Sequence, residues 1–187
     1  ELLVETALRL LKNRTAAWRI ADVGTGSGCL AIALAQEFPR SQVTATEPSR
    51  PALVVARRNV AAHDVASRVS FHLTSFLDGL AGPYDLIVSN PPYVPDQELT
   101  TLEPEVSLYE PAAALAGGPD GLDPARALVP AAASKLHAGG WLVMEIGTGQ
   151  SEEVDTIALH SRIPIIAIHP DLQGIPRVAV MQRGSTA

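Results

Sequence analysis

The chain has 187 residues, 47% of them hydrophobic and 4% aromatic, with a formal charge of −6. That length and balance suit one domain with a sizeable core and exclude a disordered chain. The acidic balance disfavours direct nucleic-acid binding: Arg57-Arg58 is the only adjacent basic pair, and no basic stripe is present. A lone cysteine, Cys29, excludes a disulfide framework and fits a reducing, cytoplasmic setting. No apolar run has the length of a membrane span, and no signal peptide is visible. The sequence starts without Met, inside the helical-looking pattern Glu1-Leu2-Leu3-Val4, which reads as a piece of a longer protein.

In chain order, Leu2, Leu3, Ala7, Leu10 and Leu11 recur at helical spacing and predict an amphipathic first helix. Residues 18–23 form a short apolar run ending at a glycine cluster. Residues 29–38 predict an apolar helix, 42–46 a short strand, and 51–62 a helix with Pro51 in its first turn. Val69, Phe71 and Leu73 alternate as a half-buried strand, and residues 84–89 read as a strand buried on both faces. Residues 91–124 are rich in proline and acidic side chains and predict a long irregular insertion, a feature that is usually functional. A helix is expected over 124–137, stopped by Gly139-Gly140, then a strand over 141–146 and a helix over 151–160. Two last strands are expected over 163–168 and 178–182. With no helix between them they must pair antiparallel, because parallel neighbours need a longer crossover.

Seven strands, most of them separated by helices, predict an α/β Rossmann-like, doubly wound and mostly parallel sheet with an antiparallel last strand. Six parallel strands plus one antiparallel is the class I S-adenosylmethionine-dependent methyltransferase plan. The whole of 1–187 is then one methyltransferase catalytic domain, with 91–124 as a substrate-loop insertion.

Asp22-Val23-Gly24-Thr25-Gly26-Ser27-Gly28 closes the first strand and opens the first crossover helix. Glycines let the backbone turn tightly and let a ligand approach closely, and the helix N-terminus adds unpaired N–H groups. Glu47, at the end of the second strand, can accept both ribose hydroxyl protons of a nucleoside. NAD and S-adenosylmethionine sites share this plan. The pyrophosphate fingerprint wants its third glycine at position 29, which is Cys29; the third glycine is Gly28, so the Gly-x-Gly-x-Gly spacing favours S-adenosylmethionine. Cys29 itself is expected to be a small buried residue.

Ser89-Asn90-Pro91-Pro92-Tyr93 ends the fourth strand. Ligands of open α/β sheets bind outside the carboxyl ends of the strands, so Asn90 is expected beside the glycine loop. An amide nitrogen is a poor nucleophile because its lone pair is delocalised. A site helps by accepting hydrogen bonds from both its N–H groups. Asn90 offers a side-chain carbonyl and Pro91 a backbone carbonyl. The prolines fix φ and preset both acceptors, while Tyr93 offers an aromatic wall. A flipped adenine amino group would fit the same acceptors, and so would a turn without chemistry.

With these motifs in hand, the sequence resembles the HemK family, the glutamine methyltransferases of peptide chain release factors. The likeness is carried by residues 22–35, by 85–94, by Glu110-Pro111, by Leu115-Ala116-Gly117-Gly118-Pro119-Asp120-Gly121-Leu122, by Glu145-Ile146-Gly147 and by Asp171-Leu172-Gln173-Gly174. The resemblance implies that Gly24, Thr25, Gly26, Ser27, Gly28, Glu47, Phe76 and Asn90 hold S-adenosylmethionine, released as S-adenosylhomocysteine. It implies that Asn90, Pro91, Pro92 and Tyr93 hold the glutamine of a release factor's Gly-Gly-Gln loop, with Asn90, Pro91 and Tyr93 serving catalysis in translation termination. Three departures stand out. Glu47 replaces the family's usual Asp, and Thr74-Ser75-Phe76 replaces its usual Ser-Asp-Trp, leaving a ring for adenine but no acid. The family's N-terminal helical domain, which helps recognise the release factor, is missing from this sequence.

The five histidines lack ligand spacing, so no metal is expected. Glu98, Glu103, Glu105 and Glu110 read as a solvated loop face. Glu110 and Arg126 are candidate supports of the substrate loop, and Glu145 a candidate for the pocket floor. A ribosomal-protein glutamine methyltransferase, an adenine amino-methyltransferase and a non-catalytic S-adenosylmethionine-binding module remain as alternatives.

Overall fold

The computed structural model describes residues 1–101, 111 and 114–184. Its sheet has seven strands: β1 (Arg19–Val23), β2 (Gln42–Glu47), β3 (Val69–Leu73), β4 (Tyr84–Ser89), β5 (Leu136–Glu145), β6 (Ile165–Pro170) and β7 (Pro176–Gln182). They lie in the order β3-β2-β1-β4-β5-β7-β6. β7 runs antiparallel to both β5 and β6, and the other neighbours are parallel, as the missing helix between the last two strands requires.

Side chains alternate between two cores, one on each face of the sheet, as the strand period of two demands. Ile20, Leu86, Val88 and Val143 meet α1 (Leu2–Leu10), α2 (Cys29–Glu37) and α3 (Arg50–Ala62) through Leu3, Leu34 and Val60. Ala21, Ile87, Leu142 and Met144 meet α4 (Asp123–Lys135) and α5 (Ser151–His160) through Leu128, Val129, Ala132 and Val154. Ser49 caps α3, its hydroxyl accepting from Ala52 N–H at 3.4 Å.

Four expectations shift. The helix expected over 124–137 ends at Lys135, because Leu136 is already extended and pairs with Tyr84 in β5. Gly139-Gly140 therefore does not stop a helix. Gly139, at φ +82°, sits in an irregularity where Tyr84 and Leu86 of β4 face Leu136 and Trp141 of β5. The sixth strand starts at Ile165 rather than 163, since Pro164 has no N–H to give a ladder and Ile163 is packed in the core. β3 is an edge strand, and its Leu73 is 42% exposed rather than half-buried.

Candidate functional site

Two loops meet at the carboxyl edge of the sheet. β1 and β4 are paired so that Val23 faces Ser89, and the next residues are Gly24 and Asn90. The Ser89 hydroxyl donates to the Val23 carbonyl at 2.8 Å, a buried bond that fastens the two strand ends together.

The glycine loop is pinned to β2. Gly24 N–H and Thr25 N–H both donate to the Thr46 carbonyl at 2.9 Å. Gly24, Gly26 and Gly28 have φ of +73°, +54° and +88°, which only glycine adopts without strain. A Cβ on Gly24 or Gly26 would meet no atom within 4 Å, so these two peptides face open space. Gly28 is a close approach instead, where a Cβ would stand 3.3 Å from the Ala56 methyl of α3.

The buried Thr25 turns its hydroxyl inward, 2.6 Å from Asp22 Oδ2, while Ser27 stays exposed. Glu47 is 9% exposed and folds back on the loop. Its Oε2 accepts from Gly26 N–H at 3.0 Å and its Oε1 from Ser49 N–H at 2.9 Å. The extra methylene of Glu thus lets the carboxylate brace the loop and the start of α3 together. Phe76, at φ +50° in the loop after β3, is half-buried against the core on the α4 and α5 side.

Cys29 is a correction. The side chain is exposed at the first position of α2, its Sγ 3.2 Å from Ser27 Oγ, because the turn at Gly28 points that end of the helix outward.

Asp22, the first residue of the glycine motif, has a fully buried carboxylate. Among the described residues its Oδ1 has no hydrogen-bond partner. Burial pushes its pKa up to about 6, against the lowering pull of Thr25 and of the α2 backbone. A buried acid before a glycine loop is the signal that could have singled it out.

Beyond β4, Asn90 is exposed, Pro91 buried, and Pro92 and Tyr93 half-buried. The Tyr93 hydroxyl donates to Glu145 Oε1 at 3.2 Å; burial first, then Glu145, raises the tyrosine pKa. Glu145 is thus brought to the proline turn, as a partner of Tyr93. The segment after Tyr93 is stitched to the far end of the insertion: Val94 N–H donates to Leu115 O at 2.9 Å, and Gly117 N–H to Val94 O at 2.8 Å. The following turn is clamped by Arg126, whose guanidinium grips both oxygens of Asp120 at 2.8 and 2.6 Å and holds that carboxyl down to about 2. Arg126 therefore supports the insertion. Glu103, Glu105 and Glu110 lie outside the described residues.

These segments enclose an open cleft of about 830 Å³, lined by Asn90, Pro92, Tyr93, Leu115, Gln150 and Arg177, among others. Sequence reasoning missed Gln150 and Arg177. The first stands between a glycine turn and a helix, and the second is held by Asp171 at 3.3 Å. Among the described residues, no group of three or more His, Cys, Asp and Glu could hold a metal. His137 instead pairs with Asp85 at 2.7 Å, early in β4 and away from the cleft.

Comparison with known proteins follows the same lines. The chain is 48% identical over 155 residues to a release factor glutamine methyltransferase of Geobacter sulfurreducens, covering 82% of this chain and 53% of that protein. It is 43% identical over 181 residues to one of Bradyrhizobium diazoefficiens, covering 95% and 61%. The chain thus spans little more than half the length of these curated relatives. Among solved structures, a ribosomal protein L11 methylase of Lactobacillus delbrueckii superposes with a TM-score of 0.70 at 21% identity, covering 97% of this chain and 77% of that one. The catalytic domain of hMettl16, solved with a MAT2A 3'UTR hairpin, gives 0.74 at 16%, covering 99% and 70%. At such identities the likeness is one of fold, that of the class I methyltransferases. The family model described as methyltransferase small domain matches residues 2–113, more than half of the sequence, and the chain belongs to that family.

Proposed function

We propose that the chain is the catalytic domain of an S-adenosylmethionine-dependent protein-glutamine methyltransferase, and that its acceptor is the side-chain amide of the glutamine in a release factor's Gly-Gly-Gln loop. The observation that carries this reading is the β1–β4 register, which sets the glycine loop beside Asn90-Pro91-Pro92-Tyr93. The names of the relatives support glutamine as the acceptor.

The residues present suit the donor. Gly24 and Gly26 leave their outer face clear, α2 starts directly after the loop with no side-chain cap, and Asp22 supplies a buried carboxylate for a cationic ligand. Glu47 would meet the ribose with the lone pairs left over from Gly26 and Ser49, and Phe76 would stack on adenine. S-adenosylmethionine supplies a methyl group made electrophilic by its sulfonium sulfur.

The chain's part is orientation. Asn90 Oδ1 and the Pro91 carbonyl accept the two amide N–H bonds and so aim the nitrogen lone pair at the methyl carbon. Pro91 and Pro92 hold these acceptors before substrate arrives, and Tyr93 flanks the amide plane. Alignment of this kind accounts for up to ~7–11 kcal/mol of barrier in favourable systems. No base is needed beforehand, because the nitrogen sheds its proton after the N–C bond forms. The partner is the release factor and the setting the cytoplasm; no helix among the described residues is long and apolar enough to cross a membrane.

The test incubates the full-length protein with methyl-labelled S-adenosylmethionine and a release factor, beside a release factor whose Gly-Gly-Gln glutamine is changed to alanine. Label on the first and not on the second is expected. Equal labelling of both, or none, overturns the assignment.

A further inference from the structure

The side chain of Gln150 joins three segments that are far apart in sequence. Its Nε2 donates to the Tyr93 carbonyl at 3.2 Å and to the Gly121 carbonyl at 3.1 Å, and its Oε1 accepts from Gly147 N–H at 2.8 Å. Tyr93 ends the proline turn, Gly121 leads into α4, and Gly147 follows β5. A primary amide has two N–H donors and a carbonyl acceptor, and here each finds a backbone partner. The opposite orientation of the amide would set its oxygen against two carbonyl oxygens.

The surrounding backbone is shaped to this one side chain. Gly121 has φ +77°, and a Cβ there would lie 2.3 Å from the Tyr93 carbonyl oxygen and 2.7 Å from Gln150 Nε2. A Cβ on Gly147 would lie 2.9 Å from Gln150 Cδ. Two glycines therefore make room for the amide from opposite sides.

We propose that Gln150 is a positioning residue for methyl transfer, acting through Tyr93 and not on the reacting atoms. The proposal rests on the acceptor reading of residues 90–93. The Tyr93 carbonyl lies two peptide units beyond the Pro91 carbonyl, and the ring of Pro92 between them fixes one of the intervening torsions, so a displacement of one is passed in part to the other. The Val94–Leu115 and Gly117–Val94 bonds already fasten the turn to the insertion. Gln150 adds the tie to the loop after β5, so that the acceptor groups are held from both sides.

Gln150→Ala and Gln150→Glu, made in the full-length protein, test this. Gln150→Ala should lower kcat by ~10–100-fold, the scale of a misplacement near 1 Å, while the Kd for S-adenosylmethionine by calorimetry stays within about twofold. In the same variant, without acceptor, the Val94 and Gly117 amides should exchange hydrogen faster than in wild type. Gln150→Glu keeps the acceptor for Gly147 but turns a carboxylate on two carbonyls. Only its protonated form can donate, so its kcat relative to wild type should rise as pH falls, a dependence that a merely structural role would not produce. If Gln150→Ala does not fold, this pH profile decides. An unchanged kcat in Gln150→Ala, or a flat ratio in Gln150→Glu, overturns the proposal. A wild-type enzyme that methylates no amide overturns the acceptor reading itself and the proposal with it.

Discussion

Asp22→Asn separates what the fold wants from what the site needs. The carboxylate is fully buried, with Oδ2 bonded to the Thr25 hydroxyl and, among the described residues, Oδ1 unpartnered. Its pKa rises from 3.8 to about 6, chiefly through burial, with Glu47 adding to the rise. That rise corresponds to about 3 kcal/mol. The folded state binds the proton more tightly than the unfolded chain does. The proton's contribution to stability is therefore complete below about pH 4, fades as the pH climbs through about 6, and is gone at pH 7. Asparagine has nearly the same shape, stays neutral and can still accept from Thr25. Asp22→Asn should therefore unfold at higher temperature than wild type at pH 7, by up to about 3 kcal/mol or roughly 6–12 °C for a chain of this size. The gap should close toward pH 4. Thermal unfolding followed by circular dichroism at pH 4, 5, 6 and 7 measures it. The same substitution should weaken S-adenosylmethionine binding in calorimetry, since it removes a negative charge directly before the loop proposed to hold that cationic ligand. A stability gap that does not change with pH would refute the reasoning.

Further perturbations separate the acceptor groups from the core. Asn90→Ala removes one of the two acceptors proposed for the amide and should cut turnover by ~10²–10³ in the labelling assay; unchanged turnover would remove Asn90 from the proposed acceptor site. Tyr93→Phe keeps the ring and loses only the 3.2 Å bond to Glu145, so turnover should fall by less than about tenfold, well short of Tyr93→Ala. Leu128→Ala opens a cavity in the core under α4, where Leu128 is fully buried, and should cost ~2–5 kcal/mol in urea unfolding.

The parts of this fold that were legible in the sequence are those with one physical solution. β4 reads as an apolar run because both its faces are covered, and β7 had to be antiparallel because five residues separate it from β6. That Gly24 and Asn90 follow the paired ends of neighbouring strands was legible from the rule that ligands gather at the carboxyl ends of strands. Gly139-Gly140 was not legible, because a glycine pair after a helical pattern serves a helix stop and a strand irregularity equally well. Only the pairing of Leu136 with Tyr84 chooses between them. Cys29 was misjudged because helical periodicity does not say which way the first residue of a helix faces. Gln150 gave no signal, since its three partners are backbone groups, two of them 57 and 29 positions away in sequence, and backbone groups leave no trace in side-chain patterns.

The strand order divides the labour at the carboxyl edge. The glycine loop is held by β2 through the Thr46 carbonyl and by Glu47. The proline turn is held on the other side of β1, by Glu145 of β5, by Gln150 and by the far end of the insertion. Among the described residues, the β1–β4 pairing, with its Ser89–Val23 bond, joins the two halves. Substitutions at Glu47 should therefore register mainly in cofactor Kd, and those at Glu145 or Gln150 mainly in kcat and the acceptor KM. Changes at Ser89 should move all three together, because its buried bond to Val23 fastens the strand ends that carry the proposed donor and acceptor sites.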